Sequence, residues 1–214
     1  MFIHDMYEFN DKNDVIAANV RLSYRKSREL EEKSIDLTFT KNEDKDRRKL
    51  IVDILAFCLM PNHYHFILRQ KVDGGIVKFM KKIGSGYAAY FNIKNKRVGP
   101  LFQGSYKAIH ITKQEYFDYL LFYVHFNPLD LTGEEWRGEN GKDYSKFGNH
   151  LDEYLWSSHL DYLGKGRFPS VTNRKFYLKL LNDRGGYEYQ VKEWIKSIPE
   201  KIKTDDAGII IEKD

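Results

Sequence analysis

Hydrophobic and polar positions divide the chain into segments of different period. Residues 1–32 carry apolar side chains at helix-compatible intervals, with a break near 9–14 where Asn and Asp gather. Residues 41–49 (KNEDKDRRK) mix charges without an apolar rhythm, the texture of a solvated loop or helix end. Residues 50–60 are then apolar and rich in β-branched types, as a buried strand requires. Pro61 and Asn62 mark a turn, and residues 63–69 alternate. The two stretches predict an antiparallel hairpin.

After a break at 73–75, Ile76, Phe79, Met80, Ile83, Tyr87, Tyr90 and Phe91 recur at helical spacing and predict a helix to about residue 92. Gly84 and Gly86 weaken it by roughly 1 kcal/mol each. A basic loop follows at 94–100, then a predicted strand over 102–111. Thr112 and Glu115 have the spacing of a capping box, and the helix they open runs to about Phe126, before Pro128. Beyond residue 130 glycine and charge are common. Residues 151–163 and 176–181 are short helix candidates, Trp136, Trp156 and Trp194 are the expected core anchors, and 201–214 reads as a tail.

The order helix, strand, strand, helix, strand, helix fits an α+β fold of ferredoxin-like type. The expectation is an antiparallel sheet with helices on one face in residues 1–130, and a mostly helical C-terminal appendage in 131–214. A complete sheet of that type needs one more strand ahead of the first helix.

Composition narrows the class. Hydrophobic residues make up 42% of the 214, enough for a packed core. Cys58 is the only cysteine, which excludes an intramolecular disulfide and a cysteine-based zinc site, and its apolar setting predicts a core position. The N-terminus has no secretory pattern, and no apolar run approaches the ~20 residues of a membrane span. A cytoplasmic protein without a membrane partner is expected.

The net charge of +4 is mild, but its distribution is not even. Residues 74–114 contain no acid, although the chain has 31. That window holds Lys78, Lys81, Lys82, Lys94, Lys96, Arg97, Lys107 and Lys113, interleaved with Tyr87, Tyr90, Phe91, Phe102 and Tyr106. Cationic side chains neutralise phosphates and aromatic faces stack unpaired bases, so the window is a candidate nucleic-acid surface. An ordinary solvated basic face has the same composition.

Two constellations carry candidate chemistry. His63 and His65 are i and i+2 on a strand, so both imidazoles project to one face and suit one divalent metal. Two half-buried, hydrogen-bonded histidines would look the same. The helix after Thr112 carries Tyr116, Tyr119 and Tyr123, then His125 and Asn127. Tyr123 and Asn127 share a helix face. A phenol with a pKa near 10 is a weak nucleophile unless a metal polarises the phosphate it attacks, and an amide oxygen can complete that metal's shell. An aromatic stripe packed on the sheet explains the tyrosines equally well by spacing. His125 points away from Tyr123, which favours capping or packing.

Three blocks in order, Met60-Pro-Asn-His-Tyr-His-Phe66, Gly99-Pro-Leu-Phe-Gln-Gly-Ser-Tyr-Lys107 and Tyr123-Val-His-Phe-Asn-Pro-Leu129, resemble the single-tyrosine HUH transposases, in the branch that includes the REP-associated tyrosine transposases. Trp156-Ser-Ser-His-Leu-Asp-Tyr-Leu-Gly164 resembles a segment common after that core. The resemblance implies a ferredoxin-like fold, single-stranded or hairpin DNA as substrate, and Mg²⁺ or Mn²⁺ on His63 and His65 with Asn127 as third ligand. It implies Tyr123 as nucleophile, a 5′-phosphotyrosine intermediate and a free 3′-OH. It places the protein at the nucleoid, with a second copy of the chain as a possible partner. Residues 2–11 look like the middle of the family's first helix, so the strand that normally precedes it is expected to be missing. The alternative is an inactive nucleic-acid-binding protein of the same fold. A metal-dependent hydrolase would need more ligands, for which Asp53, His110 and His125 are available. A plain interaction domain would need none.

Overall fold

The computed structural model describes residues 1–13, 48–112, 114–133, 136 and 144–196. The fold is α+β. Strand β1 (Val52–Leu59) pairs with β2 (Tyr64–Gln70) in an antiparallel hairpin, and the Met60 amide donates to the His63 carbonyl at 2.8 Å across the turn. β1 is apolar apart from Asp53 and is buried along nearly all of its length, whereas β2 grows exposed toward Arg69 and Gln70. Of the ferredoxin-like sheet expected from the sequence, the described residues hold this hairpin.

The chain forms two compact units, Met1–Asp53 with Gln70–Leu101, and Ile54–Arg69 with Phe102–Asp214. In the first, α1 (Phe2–Glu8) packs with α2 (Gly75–Lys94). α1 stops where the polar cluster begins. Asn10 then satisfies strand backbone with its side chain: Nδ2 donates to the Val52 carbonyl at 2.9 Å, and Oδ1 accepts from the Val52 and Ile51 amides. α2 buries Phe79, Met80 and Ile83. Its glycines are places of close approach. A Cβ on Gly75 would lie against the Ile51 carbonyl oxygen, and one on Gly86 against the Phe9 ring. The helical reading of 14–32 and the loop reading of 41–47 lie outside the described residues.

In the second unit, α3 (Gln114–Phe126) buries every residue from Leu120 onward and ends in a 3₁₀ turn, Asn127–Thr132, at Pro128. The capping box falls partly outside the described residues. After it come α4 (Tyr144–Glu153), α5 (His159–Tyr162), α6 (Lys175–Asn182) and α7 (Gly186–Lys196). The core joins Leu55, Ala56 and Ile67 of the hairpin to Leu121, Phe122 and Val124 of α3, and to Tyr177 and Val191 of the last helices. Cys58 is buried there, as its apolar setting predicts.

Among the described residues no strand precedes β1. Residues from the C-terminal part take up backbone groups of β1 instead. The Leu59 amide donates to the Trp156 carbonyl at 2.8 Å, the Ser158 amide to the Phe57 carbonyl at 2.9 Å, and the Asn173 amide to the Ile54 carbonyl at 2.8 Å. Cys58 and Ser157 form an antiparallel bridge. These contacts satisfy backbone groups that would otherwise be costly to bury.

Three sequence expectations are corrected. Residues 151–163 are not one helix: α4 ends at Glu153, Ser157 bridges to β1, and α5 spans only His159–Tyr162. Residues 102–111 are not a strand. They are largely exposed, Gly104 interrupts them, and Ile109 is half exposed, so neither face of the alternation is buried. Trp156 is not a core anchor but 53% exposed, because its backbone is what binds β1. Trp136 is buried and Trp194 packs against the core, as expected. The tail at 201–214 lies outside the described residues.

Candidate metal and nucleophile site

His63 is the last residue of the turn and His65 the second residue of β2. The strand's period of two brings both rings to one face, where their centroids are 4.8 Å apart and the two Nε2 atoms 3.1 Å apart. Asn62 Oδ1 lies 2.7 Å from His63 Nδ1. An amide oxygen only accepts, so Nδ1 carries the proton and the His63 Nε2 lone pair faces His65. Burial pushes His65 down to about 3, and His63 adds to the effect, while the Asp130 carboxylate opposes it. A neutral imidazole is the form that binds metals.

Converging imidazole nitrogens, one oriented by an amide behind it, fit a divalent cation. Among the described residues no group of three or more His, Cys, Asp or Glu is arranged around a metal. His110 lies exposed in the loop after α2, and Asp53 is buried beside Lys71 Nζ at 3.6 Å.

Tyr123 of α3 lies beside this pair. Its ring is buried and meets the His65 ring edge-on, with centroids 6.0 Å apart. Tyr119 packs between Tyr123 and Trp194, with ring centroids at 6.0 and 5.6 Å. The Tyr116 side chain lies outside the described residues. Asn127 follows one turn after Tyr123 and is buried. Its Nδ2 donates to the Tyr123 carbonyl at 2.8 Å, which caps the helix end and leaves Oδ1 as the ligand-type atom.

Asn62, Asp130 and the polar partners of His125 are not legible in the sequence. Asn62 orients His63. Asp130, in the 3₁₀ turn after α3, accepts from Trp136 Nε1 at 2.6 Å, and its charge reaches His65. His125 is wholly buried, with Nε2 2.7 Å from Ser158 Oγ and Nδ1 2.6 Å from the Tyr187 hydroxyl. The packing role expected for His125 holds, but the partners are polar. The repeated serine of Trp156-Ser-Ser-His was the available signal.

The basic residues divide by environment. Lys78 and Lys82 on α2 donate to backbone carbonyls of residues 11–13. Lys81 and Lys94 are exposed on the same helix, and Lys96 and Arg97 are exposed just after it. Lys94 lies over the Tyr90 ring at 5.7 Å and Arg97 over Phe91 at 5.8 Å, so cations and aromatic faces meet as base-stacking surfaces do. In the other unit, Lys107 is exposed on the segment that was expected to be a strand. No helix among the described residues is long and apolar enough to cross a membrane.

A family model described as transposase IS200 like matches residues 15–127, just over half of the chain. The matched span contains His63, His65, Tyr123 and Asn127. No curated protein and no solved structure matches the chain.

Proposed function

Because the chain belongs to the IS200-like transposase family, we propose that it breaks and rejoins single-stranded DNA, with Tyr123 as nucleophile and Mg²⁺ or Mn²⁺ held by His63, His65 and Asn127. The observation that carries this reading is the meeting of three rings. Tyr123 is 58 positions after His65 in sequence, yet its ring centroid is 6.0 Å from that of His65, which in turn is 4.8 Å from His63.

His63 and His65 offer Nε2 lone pairs and Asn127 offers Oδ1. A divalent cation bound there supplies Lewis acidity to the scissile phosphate. The Tyr123 oxygen forms a bond to phosphorus as its proton leaves. The bond from phosphorus to O3′ breaks, and O3′ takes up a proton to give a free 3′-OH. The product is a 5′-phosphotyrosine link. Attack by another 3′-OH restores a phosphodiester and returns the tyrosine, so the bond energy is conserved and no nucleotide cofactor is required.

Lys94, Lys96 and Arg97, with Tyr90 and Phe91, hold the strand. Lys81 is a further phosphate partner on the same helix, Lys78 and Lys82 would add to it on exchanging their carbonyl bonds, and Lys107 is a separate candidate in the other unit. Single-stranded or hairpin DNA is the substrate of this reading, at the nucleoid, and a second copy of the chain is the partner to test for.

The test is a denaturing gel of protein, Mn²⁺ and labelled single-stranded hairpin DNA. A covalent band is expected, lost with chelator and lost in Tyr123→Phe, while Tyr123→Phe still binds DNA. A covalent band of equal yield from Tyr123→Phe would overturn the nucleophile assignment. Metal-independent binding without any band would make the protein a binder instead.

A further inference from the structure

The buried face of α3 opposite Tyr123 carries a chain of polar contacts that the reaction itself does not use. Residues on a helix turn by about 100° each, so Tyr123 and His125 point in different directions from one axis. Tyr123 faces His65, and His125 faces Ser158 and Tyr187. Ser158 Oγ in turn accepts from the Phe57 amide at 2.9 Å, and the Ser158 amide donates to the Phe57 carbonyl at 2.9 Å. Phe57 belongs to β1, whose partner strand β2 carries His65. Hydrogen bonds thus run from the tyrosine helix to the backbone of the hairpin that bears the histidine pair.

Proton placement along this chain is set at its far end. The Tyr187 hydroxyl is 2.7 Å from His159 Nδ1, and His159 Nε2 faces an Asp152 oxygen at 3.4 Å. That approach is an ion-pair distance and not a formed hydrogen bond, but a carboxylate there favours the His159 proton on Nε2, which leaves Nδ1 to accept. Tyr187 then donates to His159 and accepts from His125 Nδ1–H. His125 Nε2 is left bare, and it accepts from Ser158 O–H. Ser158 O–H also lies 3.2 Å from the Phe57 carbonyl, and the shorter contact, 2.7 Å to His125 Nε2, is the one that ties the helix to the hairpin.

We propose that His125 is a positioning residue: through Ser158 it fixes the rotation and height of α3 against β1, and so aims Tyr123 at the His63–His65 pair. Apolar packing alone is non-directional and lets a helix slide or turn at little cost, whereas a buried hydrogen bond admits one register. This inference rests on the reading of Tyr123 as nucleophile for its consequence, but not for its geometry.

The experiment has two readouts on wild type, His125→Ala, His125→Gln, Ser158→Ala and the double variant. Val191→Ala is a matched control that truncates the core of α7 without touching the chain. The first readout is the single-turnover rate of covalent adduct formation per folded molecule, with DNA affinity measured alongside. The second is the ¹⁹F spectrum of a fluorotyrosine placed at position 123. The inference expects His125→Ala and Ser158→Ala to slow adduct formation roughly 10- to 100-fold at unchanged DNA affinity, and the double variant to be no slower than either. His125→Gln, which reproduces the Nε2 acceptor, recovers part of the rate. The single ¹⁹F resonance of wild type should split or broaden in both alanine variants and stay unchanged in Val191→Ala. Ser158→Ala removes one oxygen and stands in should His125→Ala not fold.

An unchanged rate and resonance in the alanine variants, with wild type active, overturns the inference and leaves the proposed function standing. An equal change in Val191→Ala also overturns it, since loss of stability would then suffice. If wild type forms no adduct, the proposed function fails, and the ¹⁹F comparison alone decides whether His125 aims the ring.

Discussion

At the scale of single residues, the chemistry depends on which nitrogen of each imidazole is free. Asn62 Oδ1 holds the Nδ1 proton of His63 at 2.7 Å, and so keeps the Nε2 lone pair available beside His65. Removing an orienting partner behind a ligand costs metal affinity even when the ligand remains. Asn62→Ala is therefore expected to weaken Mn²⁺ binding roughly 10- to 100-fold by titration calorimetry, while Asn62→Asp, which keeps the acceptor, stays near wild type. Equal affinity in Asn62→Ala would remove the orienting role. The histidine pair was legible in the sequence because a strand's period of two fixes which neighbours share a face. Tyr123 was legible as one of three. Spacings of three and four put Tyr116, Tyr119 and Tyr123 on one stripe, and only the packing of Tyr119 on Trp194 separates it from Tyr123 beside His65. Asn62 and Asp130 were not legible, because their reach is set by the geometry of a turn and of a 3₁₀ segment.

Elements were readable where their own residues supply the reason for them. β1, β2, α2 and α3 bury what their periodicity exposes to burial, and their limits follow the breakers Pro61, Gly74 and Pro128. Residues 102–111 have strand-like composition but lack the burial that makes a strand worthwhile, and the sequence carries no sign of that. The contacts along β1 were equally hidden, since residues 156–158 are some hundred positions from the strand they meet. α7 also went unread, although Tyr187, Val191, Trp194 and Ile195 recur at helical spacing, because Gly185 and Gly186 before it and its four charged residues resemble a loop. Where an element begins can rest on one atom. Gly75 opens α2, and a Cβ there would sit 2.4 Å from the Ile51 carbonyl oxygen. Alanine favours helices over glycine by about 1 kcal/mol, so propensity alone predicts that Gly75→Ala stabilises. Backbone overlap opposes it and costs about 1–3 kcal/mol. Net loss of stability is the expected result in urea denaturation, and a gain would show that the Ile51 backbone gives way.

At the scale of the whole molecule, a net charge of +4 says little, and the arrangement of charge says more. If Lys94, Lys96 and Arg97 meet three phosphates of a single strand, replacing all three by alanine should lower the slope of log affinity against log salt by about 2. Anisotropy measured across a salt series checks this, and an unchanged slope moves the DNA elsewhere. Acid should act on the protein through its buried histidines. His159 is wholly buried, and burial lowers it from 6.5 to about 4; Asp152 raises it, and Lys165 lowers it. His125, against which the Tyr187 hydroxyl also packs, is lowered in the same direction by burial and by His159. The sign follows from proton binding. Between pH 6.5 and about 4 the unfolded chain protonates His159 and the folded chain does not, so the unfolded state binds more protons and stability falls as pH falls. The contribution is fully present above the unfolded pKa and is lost toward the folded one, on the order of 3 kcal/mol for this group. His159→Asn keeps an acceptor for the Tyr187 hydroxyl but cannot titrate. Its melting temperature should therefore vary less with pH across that window than that of wild type. Parallel curves for the two proteins would mean that His159 is already protonated in the folded state, with Asp152 as its charged partner.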